Sequence, residues 1–307
     1  AHPEYGVRQA RRWLDVVRYA DSNGFERDEF RPTMWRFRDY VVRSLNADKP
    51  FDQFVIEQLA GDELLENPQR PETEADVDRL IATGFLRLGP YDSTGEIFQE
   101  NAKNRDELMS DLVSTTGAVF LGQTLSCCQC HDHKYDPLSQ ADHFRMRAFF
   151  AGVTPKNDLA VVVASVQDEI AAHNKSVEAN VAAVKDQIAV LLSPVKKKIA
   201  DERHSKFEPK IVELLKTKEA DRDDATKQKL KPFLQQLNVS DDDAAKGLAE
   251  DLKRRHDELT RQIGDLEKTK RSAATAYVMI DSGTDAPPTH IFEAGDYRSP
   301  RDVVEAG

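Results

Sequence analysis

Three cysteines and two histidines lie within seven consecutive positions, in the stretch "CCQCHDH" at residues 127–133, and the chain has no other cysteine. Within it, Cys127, Cys130 and His131 form the pattern C-x-x-C-H. In that pattern the two thiols attach to the vinyl groups of a haem, and the imidazole of the next residue binds the iron. The motif therefore predicts a covalently attached haem c, with His131 as an iron ligand.

Other kinds of site use similar residues. A zinc site would take Cys127, Cys130, His131 or His133 and a carboxylate, but structural zinc usually draws on two separated ligand pairs, and a second pair is missing. A thioredoxin-like redox site would need a preceding strand, whereas the preceding pattern is helical. Inert packed thiols would not need the polar neighbours "HDHK". The haem interpretation leaves Cys128 without an assigned role.

The sixth iron ligand is open at this stage. His133 lies about 200° around a helix from His131, so both rings could not reach one iron from opposite faces. A hydrogen bond to a haem propionate or a backbone carbonyl, or binding of another metal, suits His133 better. The remaining alternatives are no protein ligand at all, or one of four side chains: Met109, Met146, His143 and Met34.

The elements around the motif follow from composition and periodicity. Hydrophobic residues make up 39% of the chain and charged residues 32%, which is typical of helices with a single buried stripe. Helical spacing in 104–122 leads the chain to the cysteines, and a second helix in 139–152 has Ser139 as its N-cap. The fold class predicted is mainly α, with a compact helical haem-binding domain.

A narrow apolar seam runs through 163–192, and a matching seam runs through 248–266. A helix with one narrow apolar seam needs a second helix to cover that seam. The two segments therefore predict a long antiparallel helical hairpin, or coiled coil, inserted in the chain. We therefore expect three parts: a c-type haem-binding helical domain at 1–157, a hairpin domain at 158–275, and an extended connector at 276–307.

Charge and hydropathy exclude some classes of function. The net charge of −11 argues against a nucleic-acid partner, since no basic surface would dominate the field. No run of eighteen or more apolar residues exists, so we expect a soluble chain without a transmembrane segment.

Several long stretches, in this order, resemble the planctomycete-specific cytochrome domain family PSCyt2, formerly a domain of unknown function, DUF1549: "RRWLDVVRYADSNGF", "RPTMWRFRDYVVRSLNADKPFDQFVIEQLAGDEL", "IATGFLRLGP", "DELMSDLVSTTGAVFLGQT" and "CCQCHDHKYDPLSQADHFRMRAFF". The resemblance runs from about residue 5 to residue 152. The family commonly has Cys-Ala-Arg-Cys-His at the motif, where this chain has Cys128 and Gln129 between the attachment positions. The resemblance implies a c-type haem on Cys127, Cys130 and His131, in a larger bacterial protein that is periplasmic or otherwise extracytoplasmic.

Three functions are compatible with these patterns. The first is a monohaem cytochrome domain that exchanges electrons with a redox partner protein or with a domain C-terminal to it. The second is a haem enzyme with an open distal position, acting on a small or saccharide-like substrate. The third is an interaction module that the metal site stabilises. Whether the chain catalyses a reaction is left open by the sequence.

Overall fold

The computed structural model describes residues 2, 4–24, 27–95, 97–217, 222–281, 283 and 286–307. It confirms a mainly α protein with few strands, in which 59% of the residues are helical. The chain divides into two compact units, residues 1–168 with 273–307 as unit 1 and residues 169–272 as unit 2. None of the described helices is long and apolar enough to cross a membrane.

Among its described residues, unit 1 contains six complete α-helices. Two of them begin at capping boxes, in which Thr73 and Asp76, or Ser139 and Asp142, exchange side-chain and backbone hydrogen bonds. The Ser139 cap agrees with the sequence prediction. The helices are α1 (Tyr5–Val16), α2 (Trp35–Asn46), α3 (Phe51–Ala60), α4 (Glu74–Ala82), α5 (Asn101–Thr116) and α6 (Gln140–Phe149).

Two small antiparallel sheets complete unit 1. Strand β1 (Val153–Ala160) pairs with β2 (Thr275–Asp281), and β3 (Thr289–Phe292) pairs with β4 (Pro300–Val304). Much of the C-terminal segment is therefore strand, and β2 is part of the core. Four buried apolar side chains of β2 pack with those of the helices: Ala276, Val278, Met279 and Ile280.

The core of unit 1 joins aromatic rings from several helices to a few satisfied polar groups. Trp13 packs against Phe54 with ring centroids 5.1 Å apart, and its Nε1 donates to Gln58 Oε1 at 3.0 Å. The carboxylate of Glu57, which is 2% exposed, accepts from the Tyr40 hydroxyl at 2.8 Å. Hydrogen bonding of this kind keeps buried polar groups from destabilising the fold.

Helix α7 (Ala164–His204) begins shortly before the unit boundary and continues into unit 2. It runs twelve residues past the predicted seam, through Pro194. Asn174 exchanges two 2.9 Å hydrogen bonds with the backbone of Arg271, which follows the last helix. The other helices of this unit are α8 (Pro209–Lys216), α9 (Asp224–Leu237), α10 (Asp241–Lys246) and α11 (Glu250–Glu267).

Candidate functional site

A sharp change of direction after α5 positions the cysteines. The helix passes into a single π-helical turn, Gly117–Leu121, and Gly122 then takes a left-handed conformation with φ of 64°. A Cβ on Gly117 would lie only 2.7 Å from Leu125 Cδ1, so this glycine permits the returning chain to approach. The cysteines follow in a 3₁₀ turn, Leu125–Gln129, which is anchored by the buried side chain of Leu125.

The three thiols have different environments. Cys127 and Cys130 are exposed, whereas Cys128 is 0% exposed. The Cys128 Sγ lies 3.7 Å from the carbonyl oxygen of Leu138, and burial raises the pKa of this thiol. Because the thiolate is the reactive form, burial and a raised pKa both lower the reactivity of Cys128. The turn therefore presents to solvent the two thiols of the C-x-x-C pattern.

The imidazole of His131 is exposed and has a defined hydrogen-bonding pattern. Its Nδ1 lies 2.7 Å from the carbonyl oxygen of Asp132. Since a carbonyl can only accept, Nδ1 carries the proton in this bond and Nε2 holds a free lone pair. A backbone carbonyl that binds Nδ1–H in this way commonly orients a histidine whose Nε2 binds a metal.

His133 instead organises the loop that follows the motif. Its Nδ1 accepts from the backbone N–H of Asp136 at 2.8 Å and of Tyr135 at 3.3 Å. Its own backbone N–H donates to the carbonyl of Leu138 at 2.8 Å, and its side chain is 11% exposed. The Asp136 carboxylate also lies 3.2 Å from Nδ1, so this nitrogen is already engaged within the loop.

Of the four side chains considered as sixth ligands, three are buried and the fourth is half-buried. Met34, Met109 and His143 are 1%, 3% and 0% exposed, and Met146 is half-buried in the lining of an apolar cavity of about 340 Å³. His143 donates from Nδ1 to the carbonyl of Leu125 at 2.9 Å, and its buried Nε2 has no partner among the described residues. Burial lowers the pKa of His143, which favours the neutral ring. None of the four is exposed as the motif side chains are.

The donor set of the motif fits a haem c. Two accessible thiols at C-x-x-C spacing and an imidazole with a free Nε2 are the groups that such a haem requires. The side chains of Cys127, Cys130 and His131 are exposed, and they line none of five cavities found among the described residues. A haem on them would therefore lie against the surface of unit 1, where Leu121 and Tyr135 are 56% and 82% exposed. In the described part of the chain, no group of three or more His, Cys, Asp or Glu residues is arranged to hold a metal ion.

The C-terminal segment contacts the motif, a feature that the local pattern around the cysteines does not indicate. Gly295 has a φ of 78°, and a Cβ on it would lie 2.7 Å from Cys130 Sγ. The side-chain amide of Gln140 donates to the carbonyls of Gln129 at 3.0 Å and Phe292 at 2.9 Å, which ties the two segments together. The signal in the sequence is the glycine of "EAGDY", whose need for a positive φ and a close neighbour appears only in the fold.

Residues 1–155 match the family described as "PSCyt2: Protein of unknown function (DUF1549)". This match covers half of the 307-residue chain and includes the whole cysteine motif. No curated protein and no solved structure matches the chain.

Proposed function

The chain belongs to the PSCyt2 family, and we propose that unit 1 is a monohaem c-type cytochrome domain. In this proposal Cys127 and Cys130 form the thioether bonds, and His131 Nε2 binds the iron. The observation that supports it most directly is the orientation of the 3₁₀ turn, which exposes Cys127 and Cys130 and buries Cys128. A bound haem would supply one-electron transfer, at a potential set by its ligands and its burial.

The chain's own residues have distinct tasks in this proposal. The carbonyl of Asp132 holds the His131 ring in the tautomer that leaves Nε2 free, and a bond of this kind also makes the ligand more basic. Burial of Cys128 prevents a third thiol from competing for the vinyl groups. Gly295 and Gln140 keep the C-terminal segment packed on Cys130 and Gln129.

The cellular location and the partner follow from the same proposal. Bacterial machinery attaches c-type haem outside the cytoplasm, so we place the chain in the periplasm or another extracytoplasmic compartment. A haem against an exposed surface suits exchange of electrons with a redox partner, either a separate protein or a domain C-terminal to this chain in a longer protein. No nucleic acid is expected as partner, given the net charge of −11.

We also propose that α7 and α11 form an antiparallel coiled-coil hairpin. Buried residues recur at seam positions of both helices: Val177, Val181 and Val184 on α7, and Leu259 on α11. His173 Nε2 lies 2.8 Å from the carbonyl of Thr269, beside the paired bonds of Asn174 with Arg271. These contacts suit two helices that return to a common base. A role for the hairpin in docking a partner remains an alternative to electron transfer.

A second candidate function is a haem enzyme with an open distal position. The observation in its favour is the burial of Met34, Met109 and His143 in the core, which places three of the four side chains considered as sixth ligands away from the exposed motif. An iron open on one side binds water or a small molecule, as in haem proteins that activate substrates. The substrate expected in this case is small or saccharide-like.

Haem attachment is tested by producing the chain in a bacterial periplasm with a c-haem maturation system. We expect a pyridine haemochrome spectrum of thioether haem and a protein mass increased by one haem. Cys127→Ser and Cys130→Ser should each reduce attachment, while the matched variant Cys128→Ser should retain it, because that thiol is buried. A colourless protein with the mass of the polypeptide alone would refute the proposal.

The same preparation separates the two haem functions. Electron transfer through a six-coordinate iron predicts a low-spin spectrum that cyanide does not change. An open distal position predicts a high-spin spectrum that shifts when cyanide or azide is added. In His131→Ala, a changed absorption spectrum of the haem iron with the thioether bonds still formed would show that His131 acts as the iron ligand.

A further inference from the structure

A polar cavity of about 330 Å³ lies in unit 1 and involves none of the motif residues. Its walls come from the loop after Pro90, from the first two turns of α5 and from β1. The volume falls within the range of small-molecule sites, roughly 300–1,000 Å³. We propose that this cavity binds a sugar acid, a small ring that carries hydroxyl groups and one carboxylate. Six of its lining residues are Tyr91, Asp92, Asn101, Asn104, Arg105 and Asn157.

A buried positive charge, the guanidinium of Arg87, lies behind the wall of the cavity, and Arg87 is not itself one of the lining residues. This residue is 2% exposed. Its Nη2 donates to Asn157 Oδ1 at 2.7 Å, and its Cζ lies 4.7 Å from the centre of the Tyr91 ring, so it sits directly behind two lining residues. The Arg87 Nε is buried and has no hydrogen-bond partner among the described residues. A buried donor without a partner is costly, so a negative charge in the adjacent cavity would favour the folded state electrostatically.

Two more guanidinium groups add to this charge. Arg31, which is 1% exposed, donates to three neutral oxygens: Asn23 Oδ1, the carbonyl of Arg87 and the carbonyl of Gly89. Arg105, in the cavity wall, donates from its two Nη atoms to backbone carbonyls, at 2.8 Å to Val153 and 2.8 Å to Ala151. Within the part of the chain that the structure describes, none of the three has a carboxylate at ion-pair distance.

These charges are strongly desolvated. Burial lowers the pKa of Arg87 to about 10, with a further contribution from the positive charge of Arg31. Burial also lowers the pKa of Arg31 and of Arg105. Buried charges are normally paired, and unpaired ones destabilise a fold. An anion held in the cavity would offset this cost, and arginine is the residue best suited to bind a carboxylate.

The remaining lining groups suit the hydroxyls of a sugar. Asn104 donates to the carbonyl of Asp92 at 3.2 Å, but its own Oδ1 is buried and unpartnered among the described residues, so it can accept from a hydroxyl. Helix α5 begins at Asn101 without a side-chain cap and without an acidic residue in its first turn. The N-cap residue is Glu100, whose carboxylate is paired with Lys103 at 3.2 Å, and the helix dipole at this end favours a negatively charged ligand. The one lining carboxylate, Asp92, is engaged by the N–H and the hydroxyl of Thr94.

Binding is measured by calorimetry with the whole chain and three probes: D-glucuronate, D-glucose and inorganic phosphate. Glucuronate should bind at least about tenfold more tightly than glucose, which has the same ring without the charge. It should also bind more tightly than phosphate, which has the charge without the ring. Equal affinity for glucuronate and glucose would overturn the anionic part of the proposal, and equal affinity for phosphate would overturn the sugar part.

A charge-changing variant localises the site. Asn101→Asp adds a carboxylate to the lining, where the start of α5 favours negative charge, so the fold should be retained. We expect glucuronate affinity to fall by about tenfold while the thermal midpoint stays equal or rises. The matched control is Asn180→Asp, the same change at an exposed position of α7, which should leave affinity unchanged. Equal affinities in the two variants would overturn the assignment, and that result would not bear on haem attachment.

Discussion

The buried ion pair between Arg147 and Asp106 should be one of the most sensitive points of unit 1. It joins α6, which follows the cysteine motif, to α5, which precedes it. The Nη1–Oδ1 distance is 2.6 Å, and the two side chains are 9% and 10% exposed. The Arg147 guanidinium also lies 5.0 Å from the centre of the Phe292 ring, which brings the C-terminal segment into the same contact.

The size of the effect follows from this burial. Arg147→Met keeps the length of the side chain but leaves the Asp106 carboxylate in the core without its cation. Removing one member of a buried pair costs about 3–5 kcal/mol, because the remaining charge is neither solvated nor compensated. Asp106→Leu should cost a similar amount by leaving Arg147 unpaired. The double variant should be much closer to the wild type, since apolar replacement of both members of a buried pair is often nearly neutral.

The assay is urea unfolding followed by tryptophan fluorescence. Both tryptophans of the chain, Trp13 and Trp35, belong to unit 1, so their signal reports this unit and not unit 2. We expect a coupling energy above about 2 kcal/mol from the double-mutant cycle. Costs that add to within about 0.5 kcal/mol would refute the view that the two charges stabilise each other.

The dependence on pH provides an independent check of the same pair. Burial raises the pKa of Asp106, and the charge of Arg147 partly offsets that rise. Without Arg147 the pKa of Asp106 in the folded state should rise further above its value in the unfolded chain. A raised carboxyl pKa contributes stability at low pH that is lost as the pH rises. The deficit of Arg147→Met should therefore be smaller at about pH 4 than at about pH 7, and a larger deficit in acid would contradict this explanation.

Three further predictions concern single positions of unit 1. Gly295→Ala should lower the free energy of unfolding more than Gly24→Ala does, and it should reduce haem attachment in the maturation system. Both glycines have a positive φ, but only at Gly295 would a Cβ meet Cys130 Sγ, at 2.7 Å. Equal losses of stability in urea would contradict the contact. Ser139→Ala should lower the free energy of unfolding by about 1 kcal/mol, measured by tryptophan fluorescence, because it removes the cap of α6; no change would show that the cap contributes nothing. Asp62→Asn should become more stable relative to the wild type as the pH rises from about 4 to about 7. Burial raises the pKa of Asp62, and the stability that such a group contributes is lost with rising pH. Urea titrations in which the stability of the variant relative to the wild type falls over this pH range would contradict the prediction.

Local patterns in the sequence determine much of this protein. The helical periodicity that predicts a mainly α chain, and the position of Ser139 at the start of α6, depend on neighbours three or four residues away. The motif of Cys127, Cys130 and His131 is likewise complete within five positions. Membership of the PSCyt2 family follows from stretches that the chain carries in order. Haem attachment itself remains a prediction from this motif.

The tertiary structure alone decides which of these groups are accessible and what lies against them. It buries Cys128 and leaves its two neighbours in the motif exposed, and it places Gly295 against Cys130 across 165 positions of sequence. It also brings the buried Arg31 and Arg87 together behind a cavity whose wall includes Arg105, and none of the three has a carboxylate at ion-pair distance among the described residues. The reason is that burial and close contact depend on residues distant along the chain, such as β2 beside β1, which periodicity within a single segment does not specify.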